Sequence, residues 1–245
     1  EEQGPIRSHL SKRNEELAAF YLKSVGNGGR TQSLLGSTQG IGLHDCMIDA
    51  YVLVSQVYQS GDKIWLFGFS RGAWAARSLG AFIARTGLIW AADAFDDNAA
   101  DMAENIWLAY KEGRGMKRGG RFWKHHDKMP IRMIGVWDTV GEFGVPQFNG
   151  LRMFDRDELR FMKFADRELS RQVEYGRQAL AVDEERADFP PTLWNEREGI
   201  KQVWFAGVHA DIGGGYEHHG LSDIALEWMI NEVNDLDAGL RLLPA

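Results

Sequence analysis

The sequence has a single cysteine, Cys46, among 245 residues, so no internal disulfide framework is available and the fold does not depend on an oxidising compartment. Cys46 is also a poor candidate nucleophile. It lies in His44-Asp45-Cys46-Met47, at the start of an expected helix with no glycine turn beside it, where a free cysteine behaves as a small hydrophobe. No stretch approaches the about 18 unbroken apolar residues of a membrane span. An excess of basic charge is missing too: 28 Lys and Arg stand against 35 Asp and Glu, a net charge of −7. That balance argues against a dedicated nucleic-acid binder, which would carry a basic face. The opening residues Glu1-Glu2-Gln3-Gly4-Pro5 show no charged-then-apolar signal peptide, so synthesis in the cytoplasm without one is expected. Internal repeats and low-complexity linkers are absent as well.

What is present is the composition of a globular domain, 44% apolar and 26% charged. A chain of this length buries about three quarters of the surface its unfolded form exposes, enough to hold a rigid site. One domain over 1–245 is expected. Strands alternate with helical stretches, which points to an α/β sandwich of three layers with a mostly parallel central sheet. Leu17–Val25 reads as a strand or the end of a helix leading into one, and it runs into the glycine-rich loop Gly26-Asn27-Gly28-Gly29. His44–Ser60 carries Met47, Tyr51, Val54 and Tyr58 at helical spacing. Lys63–Phe69 and Ile131–Trp137 are short apolar runs expected as buried strands, and Arg177–Val182 and Gln202–Val208 look like two more. Helices are expected from Gly72 to about Ile89 and over Ser222–Val233, the latter with Ser222 as N-cap and Asp223 at the positive end of its dipole. Between the Gly72 helix and the Ile131 strand lies an insertion at about 90–130. Its stretch Lys111–His126 is rich in Lys and Arg, with Phe122 and Trp123 interleaved. A lid or membrane-touching patch is one reading of it; a solvated basic loop is the favoured one.

The central motif is Gly68-Phe69-Ser70-Arg71-Gly72, a G-x-S-x-G between an expected strand and an expected helix. A serine hydroxyl is a weak nucleophile and must be presented, exposed, to a base and to a carbonyl. A sharp strand-to-helix turn does this, with the flanking glycines relieving crowding where the chain doubles back. The helix N-terminus then offers backbone N–H groups to a developing oxyanion, the Arg71 N–H among them. Alone the motif is weak, since a glycine-rich turn in any α/β fold can match it; its strand-then-helix context strengthens it.

On such a fold the partners follow the serine as acid and then histidine. Of seven histidines, His9 and His44 precede Ser70, His125 and His126 fall in the basic insertion, and His218 and His219 sit in a polar loop. His209 is left, at the end of Val203-Trp204-Phe205-Ala206-Gly207-Val208 and before a glycine-rich loop. A buried structural histidine is the bland alternative. For the acid, Asp138 and Asp183 both end expected strands. Asp183 precedes the histidine strand, the common position, but Arg186 one turn away offers it a simple ion pair. Asp211 is a candidate brace for the Gly213–Gly215 loop. His209, Asp211, His218 and His219 lie close in sequence, yet no spacing matches a known metal motif, and neither metal nor cofactor is expected.

The segments GFSRGAWAARSLGAFI, VWDTVGEFG, ALAVDEERADFPPTLW and VWFAGVHADIGGGY, in this order, resemble the family catalogued as domain of unknown function 2235, which includes phospholipase effectors of bacterial type VI secretion. The resemblance runs from about Val25 to Met229. It implies an α/β-hydrolase-like fold and a serine esterase acting on membrane lipid through a Ser-Asp-His triad. Its serine falls on Ser70, its aspartate on Asp138 and its histidine on His209, which favours Asp138 over Asp183. It also implies a lipid or other ester substrate, contact with a membrane surface, and delivery by a secretion system outside the cell or into a target-cell periplasm. A secretion or immunity partner is compatible but not readable. This chain departs from the family's pattern in three ways. The Asp-Gly-Thr motif with which relatives open is not found, Gln178 stands where relatives often carry histidine, and the insertion at about 90–130 is long. A soluble-ester hydrolase on the same triad, or a non-catalytic interaction module on the same fold, are the competing expectations.

Overall fold

The computed structural model describes residues 18–22, 41–113, 131–140, 168–187 and 189–236. The expected Gly26–Gly29 loop, most of the basic stretch 111–126 and the second half of the WDTVGEFG motif lie outside them. Residues 18–22 carry neither helix nor strand, so the helix-or-strand expectation for 17–25 finds no support there.

Helix α1 spans Ile41–Val57 and leads to strand β1, Ile64–Phe69. Helix α2, Arg71–Thr86, follows at once, then the short α3, Ala91–Ala94, and α4, Ala99–Lys111. Strands β2, Ile131–Trp137, β3, Val173–Ala181, and β4, Ile200–Phe205, come next, then the short α5, His209–Gly213, and α6, Gly220–Leu236. The four strands form one sheet in the order β1-β2-β3-β4, and every neighbouring pair is parallel. Parallel strands need helices on both faces, which is why β2 reads as a continuous apolar run rather than an alternation.

On one face Leu66, Ile134 and Val136 pack with Ala73, Ala76, Leu79 and Ile83 of α2, and Met47 and Tyr51 of α1 join the same cluster. The buried Tyr51 hydroxyl donates to the Gly87 carbonyl at 3.0 Å, locking α1 against the end of α2. On the other face Met133 packs with Met229 and Val233 of α6, flanked by Trp65, Trp137 and Tyr175. The protein is therefore an α/β sandwich of three layers. All strand C-termini point to one end, where β1, β2 and β4 deliver Ser70, Asp138 and His209.

Some elements differ from expectation: β3 begins at Val173 rather than Arg177, and β4 spans Ile200–Phe205 rather than Gln202–Val208. In the first half of the 90–130 segment, for which no structure was expected, Ala94, Ala99, Ala103, Ile106 and Trp107 enter the main core, with Trp107 edge-on to Phe82 at 5.1 Å. Helix α2 ends at Thr86 because Gly87 adopts φ 76 and returns its N–H to the Ile83 carbonyl at 2.8 Å. Ser222 is not an N-cap. Helix α6 starts two residues earlier at Gly220, and the Ser222 hydroxyl donates back to the His219 carbonyl at 2.9 Å.

Candidate active site

Strand β1 ends at Phe69 and α2 begins at Arg71, so Ser70 alone makes the turn. Its φ of 57 and ψ of −121 lie in a region that non-glycine residues rarely visit. Such backbone costs about 1–3 kcal/mol and persists only where its surroundings enforce it. Here the Ser70 N–H donates to the Trp137 carbonyl at 3.0 Å, carrying the β1–β2 ladder up to the turning residue. Its carbonyl already accepts from the N–H groups of Ala73 and Trp74. A Cβ on Gly68 would run into the Gly72 carbonyl and the Ala73 nitrogen, whereas one on Gly72 would meet open space. The expected relief of crowding is thus one-sided and belongs to Gly68. Arg71 is the first helical residue, so its N–H has no intrahelical acceptor.

Asp138, one residue past β2, is with Ser70 one of two non-glycine residues with positive φ among the described residues, at 39. Its N–H donates to the Ala179 carbonyl at 2.7 Å, and its Oδ1 accepts the Ala181 N–H at 3.1 Å. The side chain is thereby aimed along the strand ends rather than into solvent, and the residue is 2% exposed. His209 opens α5 after the turn at Gly207 and is 7% exposed. Its Nδ1 lies 2.6 Å from Asp138 Oδ2 and its Nε2 lies 2.7 Å from Ser70 Oγ. An ionised carboxylate only accepts, so the neutral ring carries its proton on Nδ1. Nε2 is then the acceptor, and the Ser70 hydroxyl donates to it. The ring is held between Phe69, centroid 4.5 Å away, and Phe189, edge-on at 5.0 Å. Gly213 backs this stack, since a Cβ there would fall inside the Phe69 ring.

The remaining candidates lie elsewhere. The Asp183 carboxylate accepts the Gly207 N–H at 2.7 Å, and the Asp183 N–H donates to the Gly207 carbonyl. It braces the histidine turn and does not pair with Arg186, contrary to expectation. Arg186 instead clamps Glu184 through Nε at 2.7 Å and Nη2 at 2.8 Å. That clamp holds the Glu184 carboxyl down to about 2, with lesser help from the N–H groups of Arg186 and His209. Asp211 accepts the Val208 N–H at 3.0 Å, tightening the turn before α5 rather than bracing Gly213–Gly215. Burial, then Asp49, pushes the Cys46 thiol up, away from the thiolate a nucleophile needs. His218 and His219 are exposed; His219 Nδ1 pairs with Asp223 at 2.5 Å. His9, His125 and His126 lie outside the described residues. Among the described residues no group of three or more His, Cys, Asp or Glu is arranged to hold a metal ion.

A buried polar hub beside the site escapes sequence inspection. Gln178 of β3, fully buried, accepts from Thr139 Oγ1 at 2.5 Å and from Arg77 Nη1 at 3.2 Å. Its amide donates to the Thr192 carbonyl and to Gln202 Oε1, both at 3.1 Å. Arg77, 2% exposed, also reaches the Thr192 carbonyl at 2.6 Å and stacks over Trp194. The hub ties α2, β3, β4 and the residue after Asp138 together. Its signal in the sequence is a glutamine inside an apolar strand and an arginine on the alanine-rich face of α2.

Residues 6–232 match the family model described as "T6SS, Phospholipase effector Tle1-like, catalytic domain". A Saccharomyces cerevisiae protein, "Uncharacterized protein YEL023C", is 25% identical over 171 residues, covering 64% of this chain and 22% of its own length. The solved "Structure of the Tle1 effector bound to the VgrG spike from the Type 6 secretion system" is 23% identical, with a TM-score of 0.37 over 77% of this chain and 33% of that chain. The chain thus spans 22% and 33% of the lengths of these two relatives. With nearly all of its length inside the matched span, the chain belongs to the family of Tle1-like phospholipase effector catalytic domains of type VI secretion.

Proposed function

We propose that this chain is the catalytic unit of a phospholipase that cleaves carboxylic ester bonds of membrane lipid by a serine-hydrolase mechanism, with Ser70 as nucleophile, His209 as general base and Asp138 as its orienting acid. The observation that carries this is the His209 ring, hydrogen-bonded at 2.6 Å to Asp138 and at 2.7 Å to Ser70, three side chains from three separate strand ends. Metal-free ester hydrolysis needs a hydroxyl, a base to take its proton, and an anion to stabilise the charged base.

In the first step His209 Nε2 takes the Ser70 proton as Oγ attacks the ester carbonyl, and Asp138 stabilises the imidazolium. The Arg71 N–H, at the positive end of α2, is a donor for the tetrahedral oxyanion. His209 then returns the proton to the departing lysophospholipid alcohol, leaving an acyl-Ser70 ester. Water, deprotonated by the same imidazole, releases the fatty acid and restores Ser70. Family membership supports lipid as substrate and a type VI secretion apparatus as the route of delivery. The four motifs that resemble domain of unknown function 2235 lie within the matched residues. Among the described residues no helix is long and apolar enough to cross a membrane.

The test is fluorophosphonate labelling with mapping of the modified residue, alongside turnover of micellar phospholipid and of a short soluble ester. Label on Ser70, loss of turnover by about 10³-fold or more in Ser70→Ala, and preference for micellar lipid are expected. Full activity in Ser70→Ala would refute the mechanism; preference for the short ester would move the substrate to soluble esters.

A further inference from the structure

The turn after β3 does more than pass the chain to the next segment. The Glu184 Oε2 accepts the backbone N–H of His209 at 3.2 Å. Both Glu184 oxygens are clamped by Arg186. The Arg186 guanidinium lies 3.9 Å over the Phe189 ring, and Phe189 meets the His209 imidazole edge-on at 5.0 Å. One ion pair therefore touches His209 from two directions, through its main chain and through its ring. We propose that Glu184 and Arg186 are positioning residues for His209, a balanced anion and cation that hold the imidazole at Ser70 while neither charge, matched by the other, displaces the pH range in which it works as a base. The inference rests on the Ser70–His209 mechanism above.

Among the described residues, the charged and titratable groups near His209 or its ion pair are Asp138 beyond β2, Asp183, Glu184 and Arg186 after β3, Asp211 on α5, Tyr216, which acts on Arg186, and Arg71, next to Ser70 at the start of α2. Asp183 and Asp211 are engaged with the N–H groups of Gly207 and Val208 and stay constant in the variants below. Removing only the anion leaves the Arg186 cation uncompensated, which disfavours the imidazolium. Removing only the cation leaves Glu184 uncompensated, which favours it. Charges without influence on the imidazole would give no opposition of sign, and a pair that did not hold the ring would leave the labelling rate at its plateau unchanged when both charges are removed.

The experiment follows the rate of Ser70 labelling by a fluorophosphonate against pH in the 245-residue chain. Glu184→Gln, which keeps the shape and an acceptor, is expected to move the acid limb of the profile down by about half a pH unit, and Arg186→Gln up by about as much, the size of one nearby charge close to water. The double variant should return near the starting midpoint but label more slowly at its plateau, and Arg186→Lys, which keeps the charge, should have a midpoint closer to the starting one than Arg186→Gln. Shifts of the same sign in the two single variants, or none in either, would overturn the proposal. No label on Ser70 in the unmodified chain would instead remove the mechanism beneath it.

Discussion

Replacing Asp138 with asparagine changes one atom, and the geometry says how the amide must sit. Oδ1 of Asp138 accepts the Ala181 N–H at 3.1 Å while Oδ2 faces His209 Nδ1 at 2.6 Å. Turning the amide nitrogen toward Ala181 would set donor against donor in a buried site, at a cost of about 1–3 kcal/mol. The oxygen therefore stays on Ala181 and the NH₂ faces the imidazole. Two donors cannot meet there either, so Nδ1 gives up its proton and the neutral ring carries it on Nε2, directed at Ser70. A protonated Nε2 cannot take the serine proton, and a neutral amide cannot stabilise an imidazolium. Loss of both roles corresponds to a fall in kcat of about 10⁴-fold, or roughly 5.5 kcal/mol of transition-state stabilisation. Asp183→Asn, by contrast, keeps an acceptor for the Gly207 N–H and should stay within about threefold of the parent. The assay is turnover of micellar phospholipid by both variants, with thermal unfolding as a check on the fold. Retention of a tenth or more of the activity by a folded Asp138→Asn, or equal losses in both variants, would refute the reasoning.

Two further outcomes concern stability. Gln178→Ala strands Thr139 Oγ1 and removes one partner each from Arg77 Nη1 and the Gln202 amide oxygen, which keep the Thr192 carbonyl and the Trp194 N–H; with the cavity it opens, a loss of about 2–4 kcal/mol in urea denaturation is expected, and a loss below about 1 would show that the hub adds little to stability. Glu232 of α6 is hydrogen-bonded by Arg177 at 2.5 Å and by Lys201 at 2.8 Å. Burial pushes its carboxyl up, but those two cations outweigh burial and hold it below the ordinary 4.5. A lowered carboxylate adds stability above that ordinary value and loses it as pH falls through the folded one. Glu232→Gln should therefore destabilise most near pH 7, with the gap to the parent narrowing below about pH 4.5. A gap that stays constant from neutral to acid would contradict the assignment.

Local features were legible without coordinates wherever the physics is local. The apolar run KIWLFGF, closed by Gly-x-Ser-x-Gly and an alanine-rich stretch, specifies a buried strand, a sharp turn and a close-packed helix, and β1, Ser70 and α2 follow in that order. The strands about Ile131–Trp137 and Gln202–Val208 were visible for the same reason, as was the parallel α/β class. Continuous apolar runs separated by helical spacing leave few alternatives to helices on both faces of a parallel sheet.

What depended on pairing across the sheet was not legible. Asp138 and Asp183 are equivalent as letters, each a carboxylate just past a strand. Only the order β1-β2-β3-β4 puts Asp138 beside the strand that carries Ser70, with its carboxylate on the His209 ring, while Asp183 closes the Gly207 turn. Gln178, Arg77 and Thr139 likewise meet only when β2, β3 and α2 assemble, from positions as much as 101 residues apart. A strand's burial is written in its own side chains, but which group stands opposite another is set by register and layer packing, where distant segments choose among partners of the same chemistry.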